Sequence, residues 1–131
     1  MEKTAVNPWA WSGEMGYNQG EIVSGHTRTL YCAGQTAMSA KGEPQHAGDM
    51  AAQLALSLDN LEAVLAEAGM SLSNLVRLNV YTTDADGLFE HYGVLASRLG
   101  AAGVAPPTTM LEVSRLAIPV LMVELEGTAT A

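Results

Sequence analysis

A stripe of leucines in the middle of the chain limits the possible folds more than any other feature. The stripe lies between residues 49 and 68, at positions i, i+4, i+7 and i+11: Leu54, Leu58, Leu61 and Leu65. This spacing places the four side chains on one face of a helix with 3.6 residues per turn. Gly69 follows directly and is a typical helix stop. The sequence therefore predicts an amphipathic helix that must bury its leucine face against another element.

Strand-like segments flank this helix on both sides. NQGEIVSG and RTLYCAG, separated by the turn-rich SGHT, predict an antiparallel hairpin before it. LVRLNVYTT alternates after it as a half-buried strand should, and TTMLEVSRL and VLMVELEGTA predict two closing strands. The sequence leaves open whether an extra short strand lies at the N-terminus.

A second helix is predicted between the third strand and the closing strands. Thr83 and Asp86 form a T-x-x-D pattern suited to a helix start. An apolar stripe continues from there and ends at Gly100: Leu88, Tyr92, Leu95 and Leu99. The predicted order is β-β-α-β-α-β-β, an α+β fold of one domain over residues 1–131, with both helices packed on one face of a sheet.

The last predicted strand presents two different faces. Leu121, Val123 and Leu125 point one way, and Met122, Glu124 and Glu126 point the other. If the face with Glu124 and Glu126 meets only water, its carboxylates are ordinary surface residues. If that face meets another subunit, at least one carboxylate lies in a cleft.

Charge and composition exclude several classes of function. Fourteen acidic and six basic residues give a net charge of −8, which argues against binding nucleic acid through phosphate neutralisation. The longest apolar run, LAIPVLMV, is far shorter than the ~20 residues that span a membrane. The N-terminus has no secretory signal pattern, so a cytoplasmic protein is expected. Apolar residues make up 48% and charged residues only 15% of the chain, which favours oligomerisation.

The residues that most often carry redox or metal chemistry give little signal. Cys32 is the only cysteine, so no intrachain disulfide forms, and a buried apolar role is favoured over a nucleophilic one. His26, His46 and His91 are scattered and lack the spacing of metal ligands, so no metal site is predicted.

A double proline precedes the first closing strand, in APPTTMLEV. Pro106 and Pro107 fix φ and withhold backbone donors, so the chain enters the strand stiff and extended. Thr108 and Thr109 are therefore held in place at the start of the strand. Such positions line a pocket in some proteins and are ordinary edge residues in others.

Several motifs together resemble the RidA (YjgF) family. They are GYNQG, LYCAGQ, LDNLEAVLAEAG, LNVYTTD and LEVSRL followed by VELEGTA, in the family's order from Tyr17 to Ala129. The resemblance implies a chorismate-mutase-like fold, a homotrimer and a ligand cleft at each subunit interface. It also implies hydrolysis of reactive enamines or imines to 2-oxo acids and ammonia, without a metal or organic cofactor.

The resemblance also implies roles for individual residues. Tyr17 matches a site tyrosine, Gly34 supplies a backbone carbonyl, and Glu124 matches the glutamate that positions water. Thr108 stands where the family carries an arginine that grips the substrate carboxylate. Two further candidate ligand-binding residues depart from the family's common types: Met110 and His91.

The missing arginine leaves three functions open. A RidA-like hydrolase would act on a neutral or cationic imine or enamine, with Glu124 as general base and Tyr17 and Thr108 orienting the ligand. A trimeric small-molecule binding or sensing protein would keep the cleft without catalysis. A ribonuclease, an activity of some relatives, fits poorly with a net charge of −8. Trp9 and Trp11 lie outside the shared core and are expected to pack against a neighbouring subunit or to cap the cleft.

Overall fold

The computed structural model describes every residue from Met1 to Ala131. The helices and strands follow one another in this order: β1 (Glu2–Val6), α1 (Trp11–Glu14), β2 (Gly20–Ser24), β3 (Thr29–Tyr31), α2 (Met50–Glu67), a 3₁₀ turn (Leu72–Asn74), β4 (Leu75–Thr82), α3 (Ala85–Glu90), α4 (Gly93–Ala101), β5 (Thr108–Glu112) and β6 (Val123–Thr130). No helix combines the length and the apolar character needed to cross a membrane.

Four strands form the main sheet in the order β3-β6-β4-β5. β6 lies between β3 and β4 and is antiparallel to both, whereas β4 and β5 are parallel. A parallel pair needs a crossover connection, and α3 and α4 supply it. The third strand and the two closing strands are thus confirmed, with β5 and β6 shorter than predicted.

The predicted hairpin between the first two strand-like segments is wrong. β2 pairs with β1 in a separate two-stranded sheet, from Glu2 opposite Ser24 to Val6 opposite Gly20. β3 instead pairs with β6, and the carbonyl of Ala131 accepts hydrogen bonds of 2.9 Å from the amides of Thr27 and Arg28. Pairing with β3 covers an edge of β6 that would otherwise expose its backbone groups. The additional N-terminal strand, left open by the sequence, exists as β1.

The long amphipathic helix is confirmed. The side chain of Asp49 accepts a hydrogen bond of 3.0 Å from the amide of Ala52 and caps the start of α2. Beyond its end, Gly69 adopts a φ of +72°, a conformation that suits glycine. All four leucines of the stripe are fully buried against the sheet and α4.

The second helix is two helices rather than one, and its predicted cap is displaced. Asp84, not Thr83, is the N-cap of α3, and its carboxylate accepts a hydrogen bond of 3.0 Å from the amide of Gly87. The helix breaks at His91 and Tyr92, next to Gly93, a residue of low helix propensity. The apolar stripe survives the break, because Leu88, Leu95 and Leu99 are all buried.

The sheet has one covered face and one open face. α2 and α4 pack on the face that carries Leu78, Val80, Val123 and Leu125, all of them fully buried. The alternation predicted for the last strand is confirmed, since Glu124 projects from the open face. Several other side chains share that open face: Tyr31, Arg77, Asn79, Tyr81, Thr109, Leu111, Glu126 and Thr128.

Candidate functional site

A pocket of about 130 Å³ lies at the β5 edge of the sheet. Three segments build it, namely the loop from α1 to β2, the α3–α4 break and the start of β5. Its lining residues are Met15, Tyr17, Phe89, Tyr92, Thr108 and Met110. Phe89, in α3, and Tyr92, at the α3–α4 break, are three residues apart, and both line the pocket.

Aromatic rings dominate this pocket. Phe89 and Tyr92 have ring centroids 6.3 Å apart, and Trp11 meets Tyr17 edge-on at 6.3 Å. Burial raises the pKa of Tyr92, and the nearby Tyr17 raises it further. Tyr92 is therefore a neutral phenol at physiological pH. Trp9 is 60% exposed, so within one chain it packs against little.

Thr108 occupies the pocket wall, but its hydroxyl donor is already used. The hydroxyl donates a hydrogen bond of 2.8 Å to the carbonyl of Pro106, across the turn that the prolines stiffen. The hydroxyl hydrogen is therefore already engaged, and only the hydroxyl oxygen can still accept a hydrogen bond from a ligand. A ligand carboxylate would find no charged donor at this position.

No arginine lines the pocket, and each arginine of the chain is engaged elsewhere. Arg28 donates to the carbonyl of Ala68, and Arg77 donates to Thr109 at 2.7 Å on the open face. The other two arginines, Arg98 and Arg115, bind groups close to them. Arg98 binds the carboxylates of Asp59 and Glu62, and Arg115 donates to the carbonyls of Leu116 and Ala117.

A second group of predicted residues lies on the open face, around Glu124. Backbone hydrogen bonds of 2.7 and 2.9 Å join Gln35 to Leu125 in both directions and hold residues 33–35 beside β6. Gly34 consequently lies against the Glu124 side chain. A Cβ atom at position 34 would come within 2.6 Å of the Glu124 Cδ atom. Only glycine fits there without moving the carboxylate.

The electrostatics of the open face distinguish its two carboxylates. Glu126 accepts hydrogen bonds of 2.9 Å from Asn79 and 3.0 Å from the Tyr81 hydroxyl. The bond from Tyr81 to Glu126 raises the pKa of Tyr81. Glu124 has no such donors. Partial burial, and then the charge of Glu126, raise the pKa of Glu124. Glu124 is thus the carboxylate that remains available to a water or a ligand.

The two groups lie on opposite faces of the sheet. Thr108 is in register with Leu78, whose side chain is on the covered face, whereas Glu124 is opposite Tyr81 on the open face. The fold therefore brings Tyr17, Thr108 and Met110 together, and separately brings Gly34 to Glu124. His91 joins neither group, since it is exposed at the end of α3 and is absent from the pocket wall.

Three pocket residues escaped the sequence reasoning. Met15 and Phe89 belong to no motif, and the sequence predicts Tyr92 as part of the apolar stripe of an uninterrupted helix. One sign of a pocket residue was present in the sequence: Phe89, the only phenylalanine of the chain, lies off the apolar stripe of its helix.

Neither Cys32 nor a cluster of metal-ligating side chains adds a further candidate site. Cys32 is buried, and burial raises the pKa of its thiol, as expected for a structural cysteine. The structure has no group of three or more His, Cys, Asp or Glu side chains arranged to hold a metal ion.

The element order, the mixed four-stranded sheet and the helices on one face define the class of protein: an α+β domain of the chorismate-mutase-like fold. Comparison with known proteins narrows the class. Residues 10–131 match the model of the endoribonuclease L-PSP family. A RutC family protein of Pyrococcus horikoshii is 33% identical over 100 residues, which cover 76% of this chain and 77% of that protein.

Two further relatives extend the match to almost the whole chain. The RutC family protein YjgH of Escherichia coli is 30% identical over 117 residues, covering 89% of this chain and 88% of that protein. The crystal structure of YyfB from Yersinia pestis, a Rid family protein of unknown function, covers 100% of both chains at 31% identity and a TM-score of 0.85. The chain belongs to the RidA (YjgF) family, as its motifs predicted.

Proposed function

We propose that this protein is a Rid-type hydrolase of imines or enamines whose substrate is neutral or cationic rather than a carboxylate. The observation that carries the proposal is the state of Glu124. Its carboxylate is partly buried, its pKa is raised, and no hydrogen bond from the chain contributes to that shift. A general base works best with a pKa near the working pH and with access to water. The raised pKa and the half-exposed position of Glu124 support this role.

The chemistry requires one carboxylate in two roles. Glu124 accepts a proton as water adds to the carbon of the protonated C=N bond, which gives a neutral carbinolamine. The same carboxyl group then returns that proton to nitrogen and takes up the hydroxyl proton as the C–N bond breaks. A carbonyl compound leaves, and ammonia carries the last proton away as ammonium. The raised pKa favours both steps, because it brings the proton affinity of Glu124 closer to neutral pH.

The site we propose is shared between subunits. Within one chain the pocket of Tyr17 and Thr108 and the carboxylate of Glu124 are on opposite faces of the sheet. A cleft that uses both therefore needs the open face of one copy to meet the pocket edge of another. The homotrimer implied by the family resemblance would provide such a contact, and the half-buried polar side chains of the open face suit an interface of this kind.

The altered substrate follows from the lining of the pocket. The Thr108 hydroxyl donates its hydrogen bond to the carbonyl of Pro106, and no arginine lines the pocket of this chain. Two charge-assisted hydrogen bonds of ~1.5 to 3 kcal/mol each are thereby unavailable to a carboxylate, and a single neutral bond contributes only ~1 kcal/mol. The affinity for a substrate without a carboxylate does not depend on these hydrogen bonds.

Release of ammonia tests the proposal. Imines generated in the cuvette from primary amines by an amine oxidase should lose ammonia faster in the presence of the protein, and Glu124→Gln should abolish the acceleration. Glu43→Gln, a change at an exposed carboxylate in the loop before α2, is the matched control and should behave as the parent. Acceleration that survives Glu124→Gln would remove Glu124 from the mechanism.

A non-catalytic binding or sensing role is the second candidate. The engagement of the Thr108 hydroxyl with Pro106 favours it, because the pocket then lacks the polar group best placed to orient a reacting molecule. Ligand binding without acceleration of any imine hydrolysis, in a protein whose trimer is verified by native mass spectrometry, would decide for this role. The ribonuclease activity suggested by the name of the matching family is the weakest candidate, since a chain of net charge −8 repels RNA.

A further inference from the structure

The pocket beside Thr108 differs chemically from a site for an amino-acid-like ligand. Three aromatic rings, those of Tyr17, Phe89 and Tyr92, share the wall with two methionine side chains. No lysine, arginine or histidine lines the pocket. A carboxylate that entered would lose its water without gaining a charged partner, which is costly. An apolar group would instead gain from leaving water.

The size of the pocket points to a particular kind of group. Its volume is about 130 Å³, close to the roughly 150 Å³ of an apolar cavity that holds one benzene ring. A phenyl ring or a branched alkyl chain fills such a space. Edge-to-face contact with Phe89 and Tyr92 favours the phenyl ring, since aromatic pairs gain beyond the area that they bury.

We infer that this pocket binds the apolar end, an aryl or branched-alkyl group, of an amine-derived ligand that has no carboxylate. The inference rests on the proposed function for the reacting C=N group, and it assigns the substrate class of that same site. Phe89, Tyr92 and Met15 become residues that determine specificity, beside the predicted Tyr17 and Met110.

This substrate class has a defined place in a reaction sequence. Oxidation of a primary amine R–CH₂–NH₂ by an amine oxidase or dehydrogenase removes two electrons and two protons and gives R–CH=NH. Hydrolysis then adds water and releases R–CHO and ammonia, with no further redox change. The preceding reaction is thus an amine oxidation, and the following one consumes an aldehyde.

A pair of unreactive ligands tests the inference without any turnover. 2-Phenylethylamine and phenylalanine have the same phenyl group and the same ammonium group, and differ only by a carboxylate. Calorimetric titration of the parent protein should give an affinity for the amine at least about 10-fold higher than for the amino acid, since desolvating an unpaired carboxylate costs more than the 1.4 kcal/mol per factor of ten. The heat capacity change for the amine should be negative, the mark of apolar burial.

Truncation of the pocket wall provides the second arm of the test. Phe89→Ala should weaken amine binding about 5-fold, the factor for roughly 40 Å² of lost apolar contact. Met15→Ala should act in the same direction. Phe89 and Met15 are 52% and 48% exposed, so the core stays intact, which thermal melting will verify. Ile22→Ala, at an exposed apolar residue of β2 outside the pocket, is the control and should bind as the parent.

The outcomes separate this inference from the proposed function. Equal or tighter binding of phenylalanine overturns the inference, and so does amine binding that neither Phe89→Ala nor Met15→Ala weakens. Selective amine binding without hydrolysis of the corresponding imine supports the inference and refutes the proposed function.

Discussion

Restoring the missing charge at position 108 is the most direct test of how this pocket chooses its ligand. Thr108→Arg places a guanidinium at the start of β5, on the covered face and in the wall of the pocket. Two charge-assisted hydrogen bonds to a carboxylate supply ~3 to 6 kcal/mol, and ordering the arginine costs ~2 kcal/mol. The net gain of about 1 to 4 kcal/mol corresponds to roughly 5-fold to 1000-fold in affinity.

The substitution also carries a structural cost. The hydrogen bond from the Thr108 hydroxyl to the carbonyl of Pro106, 2.8 Å long, is lost. A neutral hydrogen bond contributes ~1 kcal/mol to stability, so the free energy of unfolding should fall by about that amount. Urea unfolding measures this loss separately from the effect on the ligand.

The assay compares two substrates in one enzyme. Freshly generated 2-aminoacrylate carries a carboxylate, and an imine of 2-phenylethylamine does not. Thr108→Arg should shift the ratio of kcat/KM values towards 2-aminoacrylate by the same 5-fold to 1000-fold, an expectation set by the two added hydrogen bonds.

The neighbouring threonine offers a matched control. Thr109 is on the same strand but faces the open side, where its hydroxyl accepts from Arg77. Thr109→Arg adds the same charge on the other side of β5 from the pocket and should shift the substrate ratio less than Thr108→Arg. Equal shifts of the ratio in both variants, or no shift in a folded Thr108→Arg protein, would contradict the role assigned to position 108.

The remaining predictions concern the base, its support and the fold. Because burial raises the pKa of Glu124, hydrolysis should rise with pH through that raised pKa. The folded chain binds the proton of Glu124 more tightly than the unfolded chain does. The contribution of this proton to the free energy of unfolding should therefore decrease as the pH rises through the raised pKa. Carbon-detected NMR titration measures that pKa. Gly34→Ala should displace the Glu124 carboxylate and lower kcat about 100-fold with the fold retained by circular dichroism. Leu58→Ala should cost about 2 to 5 kcal/mol in urea unfolding, because the side chain is fully buried. Asp84→Ala should cost ~1 kcal/mol and Thr83→Ala far less, since Asp84 caps α3; equal losses would contradict this assignment.

Patterns with a strong period were readable from the sequence. The leucine stripe of α2 and the alternation of β4 and β6 each place apolar side chains on one face, and burial of that face determines the element. The motifs spread along the chain also identified the family, and with it the chorismate-mutase-like fold. The same motifs predict Glu124 and Tyr17 as site residues.

Strand pairing was not readable, because it depends on partners that are distant in the chain. β3 has only three residues, and it pairs with β6, almost a hundred residues later, rather than with the adjacent β2. The turn residues of SGHT favour a hairpin between β2 and β3. In the structure β3 instead pairs with β6 and covers an edge of that strand. The break between α3 and α4 was equally hidden, since the apolar stripe continues across it.

The sequence by itself determined which residues are apolar, which carboxylates are present and that threonine stands after the double proline. Only the tertiary structure decided that Tyr17, Thr108 and Met110 line one pocket with Phe89 and Tyr92, while Gly34 and Glu124 meet on the other face of the sheet. The physical reason is that side chains alternate between the two faces of a strand, so a single register between neighbouring strands assigns every residue to its face.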